Sequence, residues 1–498
     1  MSSIKSILIA NRGEIAVRII KTARNMGIKT YAFQTPQEAN AVYLNWADEV
    51  IRIREESSVR SVFLSPELIV GYAKEYGIEA IHPGYGFLAE SPALPELCDR
   101  EGVLFIGPSA DVIRKMGDKN EARQLAVRLG VPVVKGSNVP INTLEEAKLQ
   151  IKKIGYPVML KALAGGGGKG MRVVTKAAEL EPAFRMAVGE ATNAFNSGAM
   201  LIEKYVGRPR HIEIQILADK HGNAVHLFER ECSIQRNHQK LLEEAPSPGL
   251  TDKLRDKMAR DALELAQATG YFTLGTVEFL LDQKKNYYFM EMNTRIQVEH
   301  PVTEAITGLD LVEWQIRTAA GEKMTLKQEE IKKHGWAMEF RINAEDVQAG
   351  FAPNFGIIDE MNFPGYPGLR VDSGFIPGSV IPGMYDSLIA KLIVSGKNRA
   401  SVIEKSIGVM QHSNIEGIKT TIPFFKAVLH HPAFVAGNMT TSFVSEMKEL
   451  FYQEENEEEA AAMIALQTYL NDMEPIEKRK VGSEAATPWI SRMWNKLF

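Results

Sequence analysis

Cysteine is nearly absent from this sequence, with only Cys98 and Cys232 in 498 residues. Two cysteines exclude a disulfide framework and a cysteine-rich zinc site. An excess of one charge is also missing, since the formal net charge is −4, and this argues against a nucleic-acid-binding protein. No apolar run approaches the roughly 18 residues of a membrane-spanning helix, and Arg12 interrupts the first run too early for a signal peptide. We therefore expect a cytoplasmic protein that binds neither nucleic acid nor membrane.

The length of the chain indicates several domains, because 498 residues exceed one ordinary domain. Short apolar runs alternate with helical patterns near the start, which predicts a parallel sheet flanked by helices. The first turn, ANRGEIA, lacks the GxGxxG fingerprint of dinucleotide binding. A glycine run with polar strands follows, then strand signals with Pro/Gly turns, then a charged and amphipathic tail. The regions that we predict are residues 1–115, 116–334, 335–450 and 451–498.

The segment MEMNTRIQVEH (290–300) combines polar and apolar residues with a period of two. In a strand, successive side chains point to opposite faces. One face would carry Glu291, Asn293, Arg295, Gln297 and Glu299. A solvated strand would alternate in the same way, but Asn and Gln gain little on such a face. Thr294 breaks the alternation, and whether the segment stays extended beyond it is open.

Three other segments share this pattern: RHIEIQILAD with His211, GTVEFLL with Glu278, and AMEFRINAED with Arg341. A single glutamate would be an ordinary surface ion-pair partner, whereas four such strands suggest a sheet whose polar face binds a charged ligand. Carboxylates with an amide form a hard-oxygen set suited to magnesium. Glu278 and Glu291 are the predicted ligands, with Asn293 beside them.

The run KALAGGGGKGMRVV (161–174) places glycines around Lys169 between two strand-like flanks. It lacks the P-loop form. A hairpin with this tip can close over a nucleotide and direct backbone N–H groups at the phosphates; a flexible linker is the alternative. Lys161 lies within an apolar strand, where its charge needs a partner such as a phosphate.

Two more segments are candidates for nucleotide contacts. The segment MLIEKYV (200–206) is predicted to be a strand that ends at Glu203 and Lys204. These two residues are suited to hydrogen bonds with an adenine edge. CSIQRNHQKLLEEAP (232–246) is predicted to be a loop that contains Gln235, His238 and Lys240. His238 fits a structural histidine equally well.

Together these motifs resemble those of biotin carboxylase in the ATP-grasp superfamily. The resemblance is carried by ILIANRGEIAVRII, IHPGYGFLAES, GGGGKGMRVV, ERECSIQRNHQK, EMNTRIQVEHPVTE and EFRINAED, and covers roughly residues 4–447. It implies a mixed α/β and α+β protein, with an ATP-grasp fold preceded by a Rossmann-like domain and followed by a biotin-carboxylase C-terminal domain. It also implies carboxylation of carrier-bound biotin with ATP, bicarbonate and Mg²⁺ or Mn²⁺.

The resemblance also implies a role for individual residues. The nucleotide contacts would be Lys119, Lys161, Gly165, Gly166, Gly167, Gly168, Lys169, Gly170, Met171, Glu203, Lys204, His211, Gln235, His238 and Leu280, with a lid over about 135–205. The metal ligands would be Glu278, Glu291 and Asn293, and the bicarbonate site Lys240, Arg295, Gln297, Val298 and Glu299. Arg341 would stabilise the biotin enolate and Tyr85 would line the biotin pocket. The catalytic set would be Lys240, Arg295, Glu299 and Arg341.

The expected partners follow from what the chain does not carry. Met-Lys occurs only in SEMKELF, within a helical pattern, so biotin would sit on a separate carrier protein that serves a separate carboxyltransferase. A homodimer is implied, although FPGYPGLR (363–370) departs from the family's dimer loop. TPWISRMWNKLF places apolar residues on one helical face. This tail would dock on a partner, pack on its own subunit or touch a membrane surface. The final carboxyl acceptor, an acyl-CoA or pyruvate, stays open.

Two other functions are compatible with part of the pattern. An ATP-grasp ligase that forms an amide through an acyl-phosphate would share the lid and the metal glutamates. It would not be expected to combine Arg295 and Glu299 with Arg341. A non-catalytic nucleotide-binding subunit would have lost metal or base positions, and these are intact in the sequence.

Overall fold

The computed structural model of the chain describes residues 4–53, 59–137, 139–163, 170–195 and 197–447. By contacts the chain divides into two compact units, Met1–Lys448 and Glu449–Phe498. The predicted helix of the tail lies outside the described residues, as does the glycine tip at 164–169. Within the described ranges, no helix is both long enough and apolar enough to cross a membrane.

The first region forms a five-stranded parallel sheet, as the alternation of apolar runs predicts. Its elements are β1 (Ser6–Ile9), α1 (Gly13–Asn25), β2 (Lys29–Gln34), β3 (Glu49–Arg52), α2 (Val59–Leu64), α3 (Pro66–Glu75), β4 (Ala80–His82), α4 (Ala93–Glu101) and β5 (Leu104–Phe105). The strand order is β3-β2-β1-β4-β5. From β1 the strand order proceeds to one side through β2 and β3, and to the other side through β4 and β5. The loops that follow β1 and β4 therefore border a crevice at the carboxyl ends of these two strands. Asn11 spans it by donating to the carbonyls of Pro83 and Tyr85, both at 2.8 Å.

A small antiparallel sheet, β7-β6-β8, follows and includes both flanks of the glycine run. The elements of this part are α5 (Ala110–Gly117), α6 (Lys119–Arg128), α7 (Leu144–Ile154), β6 (Val158–Ala162), β7 (Arg172–Val174), α8 (Leu180–Phe195) and β8 (Met200–Lys204). The strands β6 and β7 pair from Val158↔Val174 to Leu160↔Arg172. The two flanks of the glycine run are therefore paired strands, as predicted.

The chain also forms an eight-stranded antiparallel sheet, in the order β13-β12-β9-β10-β11-β14-β19-β18. The elements of the second region that contribute to this sheet or lie between its strands in the chain are β9 (Arg210–Ala218), β10 (Ala224–Arg236), β11 (Gln239–Ala245), α9 (Asp252–Thr269), β12 (Thr273–Leu281), β13 (Tyr287–Asn293), α10 (His300–Thr307) and α11 (Leu311–Ala319). The elements of the third region are β14 (Trp336–Asn343), β15 (Glu345–Asp346), β16 (Ala352–Pro353), β17 (Glu360–Asn362), β18 (Leu369–Ser373), β19 (Leu388–Gly396), α12 (Arg399–His412), β20 (Asn414–Glu416), α13 (Ile422–His430), α14 (Pro432–Val435) and α15 (Phe443–Glu446). Of these strands, β14, β19 and β18 complete the sheet, whereas β15 pairs with β16 and β17 pairs with β20. Because β11 pairs with β14, the second and third regions share one sheet.

The polar segment after β13 is not extended, which corrects the prediction of 290–300 as one strand. The strand β13 ends at Asn293, and Glu299 is the N-cap of α10. Pro301 stands in the first turn of α10, where its fixed φ favours a helix start. The period of two therefore holds for Glu291 and Asn293 and fails beyond Thr294.

The segment CSIQRNHQK is a β-hairpin and not the loop that the sequence suggested. Gln235 lies in β10 and Lys240 in β11, and they pair directly. Only Asn237 and His238 form the turn, with φ of 50° and 67°. Asparagine tolerates this left-handed backbone, which suits a tight hairpin turn.

Gly374 lies against the first turn of α1. A Cβ at this position would stand 2.6 Å from the Glu14 nitrogen and 2.7 Å from the Gly13 Cα. Since backbone atoms cannot move aside cheaply, we expect Gly374→Ala to lower the free energy of unfolding by about 1–3 kcal/mol, measured by urea denaturation. Gly365→Ala is the matched control, because nothing lies within 4 Å of its Cβ. Equal losses in the two variants would contradict this close packing.

Candidate active site

Lys240 is the centre of a buried cluster of charges. Its Nζ lies 2.6 Å from Glu213 Oε2, 3.0 Å from Glu278 Oε1 and 2.6 Å from Glu299 Oε1. These carboxylates come from β9, β12 and the turn before α10. Burial lowers the pKa of Lys240, but the three carboxylates raise it well above its ordinary value. The ammonium is therefore charged and joins the polar faces of three segments.

A β-bulge places Lys240 in this cluster. In the β10–β11 pair, Ile234 lies opposite Leu242 while Gln235 lies opposite Lys240, so Leu241 is an extra residue. Past the bulge the inward face shifts by one residue. Lys240 and Glu243, three positions apart, therefore both reach the charged cluster.

Glu299 lies between two cations. Arg341 Nη2 donates to Glu299 Oε2 at 2.8 Å, on the side opposite Lys240. Burial favours the neutral acid, but Lys240 and Arg341 outweigh it and hold the pKa of Glu299 well below its ordinary value. Arg341 also contacts Glu243, whose pKa burial raises to about 7 although Arg341 opposes that rise. Glu299 is thus a buried carboxylate that stays ionised.

Glu278 and Glu291 lie directly opposite each other on β12 and β13. Asn293 Nδ2 donates to Glu278 Oε1 at 2.8 Å, and His211 Nε2 lies 2.9 Å from Glu278 Oε2. Burial raises the pKa of Glu291 and the charge of Glu278 raises it further, with Lys119 opposing. Two facing carboxylates that repel each other, with an amide beside them, are a donor set that fits a hard divalent cation. A second set with the same glutamate, comprising His211, Glu213 and Glu278, has ligand atoms within 4.8 Å of one another.

Arg295 joins the metal candidates to the first region. Its Nε donates to Glu90 Oε2 at 2.9 Å, and its Nη groups donate to Gln297 Oε1 at 2.9 Å and Asn293 Oδ1 at 3.1 Å. Gln297 Nε2 reaches Glu278 Oε1 at 3.4 Å. Asn293, Arg295 and Gln297, which the sequence pattern placed on one face of a strand, are therefore brought together by the turn after β13.

Two residues with implied nucleotide roles lie close to the metal candidates, since the charge of Lys119 acts on Glu291 and His211 contacts Glu278. Lys119 opens α6, and Lys161 on β6 pairs with Glu203 on β8. Burial lowers the pKa of His238, and the charges of Lys161 and His211 lower it further, which favours the neutral ring.

The other implied nucleotide contacts lie on several elements. Gln235 is buried in β10, Leu280 lies in β12, and Met171 directly precedes β7. Lys204 Nζ donates to the carbonyl of Tyr156 at 2.6 Å. The N–H of Gly170 donates to Glu190 at 3.3 Å, with φ +72°. Gly165, Gly166, Gly167, Gly168 and Lys169 lie outside the described residues.

Several buried charged residues near the site were not assigned a role from the sequence, among them Glu14, Arg230, Glu243 and Lys391. Arg230, fully buried, donates to Gln215 at 2.7 Å and to Thr303 at 2.9 Å, and it pairs with Glu213. Lys391 interrupts the apolar strand LIAKLIV, so the reasoning applied to Lys161 would have found it. Glu243 gives no such signal, because a bulge decides which way it faces.

Comparison with protein families gives matches along nearly the whole described chain. The model "Biotin carboxylase, N-terminal domain" matches residues 3–113. The model "Carbamoyl-phosphate synthase L chain, ATP binding domain" matches residues 118–327. The model "Biotin carboxylase C-terminal domain" matches residues 339–446. The predicted order of a parallel-sheet domain, an ATP-grasp domain and a C-terminal domain is confirmed.

Individual relatives agree with these families. Biotin carboxylase 1 of Bacillus subtilis is 50% identical over 442 residues, which cover 89% of this chain and 98% of that protein. The 2-oxoglutarate carboxylase small subunit of Hydrogenobacter thermophilus is 46% identical over 456 residues, which cover 91% of this chain and 96% of that protein.

Solved structures lead to the same family. The biotin carboxylase domain dimer of Hydrogenobacter thermophilus 2-oxoglutarate carboxylase, in complex with MgADP, ADP and bicarbonate, superposes with a TM-score of 0.89 at 46% identity, covering 91% of this chain and 100% of that one. Biotin carboxylase of Campylobacter jejuni, in a complex with a β,γ-ATP ligand, gives a TM-score of 0.86 at 42% identity, covering 89% and 99%. On this identity, coverage and shared fold, the chain belongs to the biotin carboxylase family.

Proposed function

We propose that this protein carboxylates biotin on a separate carrier protein, converting ATP, bicarbonate and biotinyl-carrier into ADP, phosphate and carboxybiotinyl-carrier. This is the first half-reaction of a biotin-dependent carboxylase. The observation that carries the proposal is the buried Glu299 carboxylate held between Lys240 and Arg341, with Lys240 also touching Glu278. A potential base, two fixed cations and a metal candidate thus share one cluster.

Glu299 is assigned as the general base for bicarbonate. Bicarbonate is a poor nucleophile, and removing its proton strengthens its attack on the γ-phosphate of ATP. The pKa of Glu299 is low because of Lys240 and Arg341. A bicarbonate anion next to the same cations would raise that pKa by like-charge repulsion. Arrival of the substrate would therefore bring the base toward the strength that the step needs.

The other charged groups act on the phosphates and on biotin. Glu278 and Glu291, with Asn293, would hold Mg²⁺ or Mn²⁺, which neutralises phosphate charge in phosphoryl transfer. Lys119 and Lys161 would orient the nucleotide. Attack of bicarbonate on the γ-phosphate expels ADP and gives carboxyphosphate, which decomposes to CO₂ and phosphate. The phosphate takes the N1′ proton of biotin, and N1′ then attacks the CO₂. Arg341 stabilises the ureido oxyanion as a fixed cation.

The implied lid and pocket complete the assignment. The glycine hairpin between β6 and β7 would close over the nucleotide and exclude water from the labile carboxyphosphate. Tyr85 and Arg341 would line the biotin pocket, and Gln297 and Val298 would border bicarbonate. We also propose that the protein is a homodimer that works with a carrier protein and a carboxyltransferase subunit. The dimeric biotin carboxylase domain and the small subunit of Hydrogenobacter thermophilus 2-oxoglutarate carboxylase support this assembly.

ATP hydrolysis with free biotin tests the function directly. We expect ADP formation to require bicarbonate and Mg²⁺, and to rise when biotin is added, because the phosphoryl acceptor is bicarbonate. A coupled ADP assay with and without each component measures this, and addition of a chelator in excess of the metal should stop the reaction. Hydrolysis that is indifferent to bicarbonate would favour a different ATP-grasp ligase.

A further inference from the structure

Lys391 is a fully buried cation on β19, directly opposite Arg341 in the β14–β19 pair. Its Nζ donates to the Val298 carbonyl at 2.8 Å and lies 3.1 Å from Glu14 Oε2. Burial lowers the pKa of Lys391, but Glu14 and Glu339 raise it above its ordinary value. A buried ammonium with these partners is held in one position, because leaving them would strand its charge.

Glu14 connects this cation to Tyr85. It lies in the first turn of α1, where it is 5% exposed, and it accepts a hydrogen bond from the Tyr85 hydroxyl through Oε1. Its other oxygen faces Lys391 as an ion pair. The backbone at Gly374 packs against the backbone of this turn of α1. One continuous path therefore runs from the Tyr85 hydroxyl to the Val298 carbonyl.

The two ends of this path belong to different substrates under the proposed function. Tyr85 is assigned to biotin, and Val298 to the turn between Gln297 and Glu299 at bicarbonate. The path also joins two regions of the fold, since it runs from the loop after β4 through α1 to β19. Neither end is a neighbour of the other in sequence, so local backbone geometry does not set their separation.

We propose that Lys391 and Glu14 are positioning residues that fix the biotin-site tyrosine and the bicarbonate-site turn relative to each other. The ion pair touches neither substrate in this assignment and acts through Tyr85 and Val298. This inference rests on the proposed function, since it needs both substrates to bind at these ends. A purely structural ion pair would instead affect stability and leave the Michaelis constants unchanged.

Steady-state kinetics with ATP, bicarbonate and free biotin tests the coupling. We expect Lys391→Met to raise KM for bicarbonate and for biotin about tenfold each, as for one charge-assisted hydrogen bond lost from a positioned group. KM for ATP should stay within about twofold, because the path does not reach the nucleotide residues. Tyr85→Phe should raise KM for biotin alone. The double variant Lys391→Met/Tyr85→Phe should raise KM for biotin no further than Lys391→Met does, since both changes break the same path.

Two controls separate positioning from folding. Arg255→Met removes the cation of another buried ion pair, 2.5 Å from Glu229, with a side chain 7% exposed; it should lower stability with all three KM values unchanged. If Lys391→Met does not fold, the double variant Lys391→Met/Glu14→Gln replaces it, because it removes both charges of the pair. This double variant should show the same rise in KM for bicarbonate and for biotin. A uniform rise that includes ATP, or a fall in kcat alone, overturns the inference. If the wild-type protein shows no bicarbonate-dependent hydrolysis, the proposed function itself fails.

Discussion

Glu299→Gln should abolish bicarbonate-dependent ATP hydrolysis while the protein still binds nucleotide. The glutamine keeps the shape of the side chain but cannot accept a proton from bicarbonate, so we expect a fall in kcat of about 10²–10⁴-fold. Nucleotide affinity should change little, because Lys119, Lys161 and Glu203 lie on other elements. The measurements are the rate of ADP formation at saturating bicarbonate and the affinity for ADP by calorimetry.

A matched variant exists on the same sheet. Glu244 is fully buried on β11 and accepts from Arg399 at 2.8 Å, but it lies outside the charged cluster. Glu244→Gln should therefore leave bicarbonate-dependent hydrolysis near the wild-type rate. Near-normal hydrolysis in Glu299→Gln would remove Glu299 from the role of base, and equal losses in both variants would point to a general effect of buried carboxylates on folding.

Lys240→Met should have the largest combined effect on activity and stability. The ammonium contacts Glu213, Glu278 and Glu299 at 2.6–3.0 Å with its side chain 11% exposed. Without it these three buried carboxylates repel one another and lack a shared cation. Breaking a buried ion pair on one side costs about 3–5 kcal/mol. We expect a loss of unfolding free energy of about that size, together with loss of bicarbonate-dependent hydrolysis.

Arg399→Met separates the two effects. Its side chain is 13% exposed and its guanidinium pairs with the buried Glu244, so its environment resembles that of Lys240. Urea denaturation should show a comparable loss of stability in both variants, while only Lys240→Met loses hydrolysis in buffer where both are folded. Retained hydrolysis in folded Lys240→Met would contradict the assignment of this lysine to the bicarbonate site.

Much of the architecture follows from local patterns in the sequence. Apolar runs alternating with helical patterns predicted the parallel sheet of the first region, and the flanks of the glycine run predicted the hairpin of β6 and β7. Period-two alternation correctly predicted strands at His211, Glu278 and Arg341. These predictions succeed because burial on one face imposes a repeat that can be read from neighbouring residues. The residue pattern itself suggested Glu278, Glu291 and Lys161, and the resemblance of long motifs supplied most of the other candidate site residues. The roles of all these residues are proposals.

The sequence by itself determined the family, the strands that carry the polar residues and the types of charge available for catalysis. Only the tertiary structure decided how those charges meet. The turn after Asn293 replaced a predicted strand, the extra Leu241 turned Glu243 toward Arg341, and β19 brought Lys391 to Val298. Each depends on a partner strand or turn distant along the chain. A periodic pattern specifies which face a residue occupies, but register, bulges and long-range pairing determine what it touches.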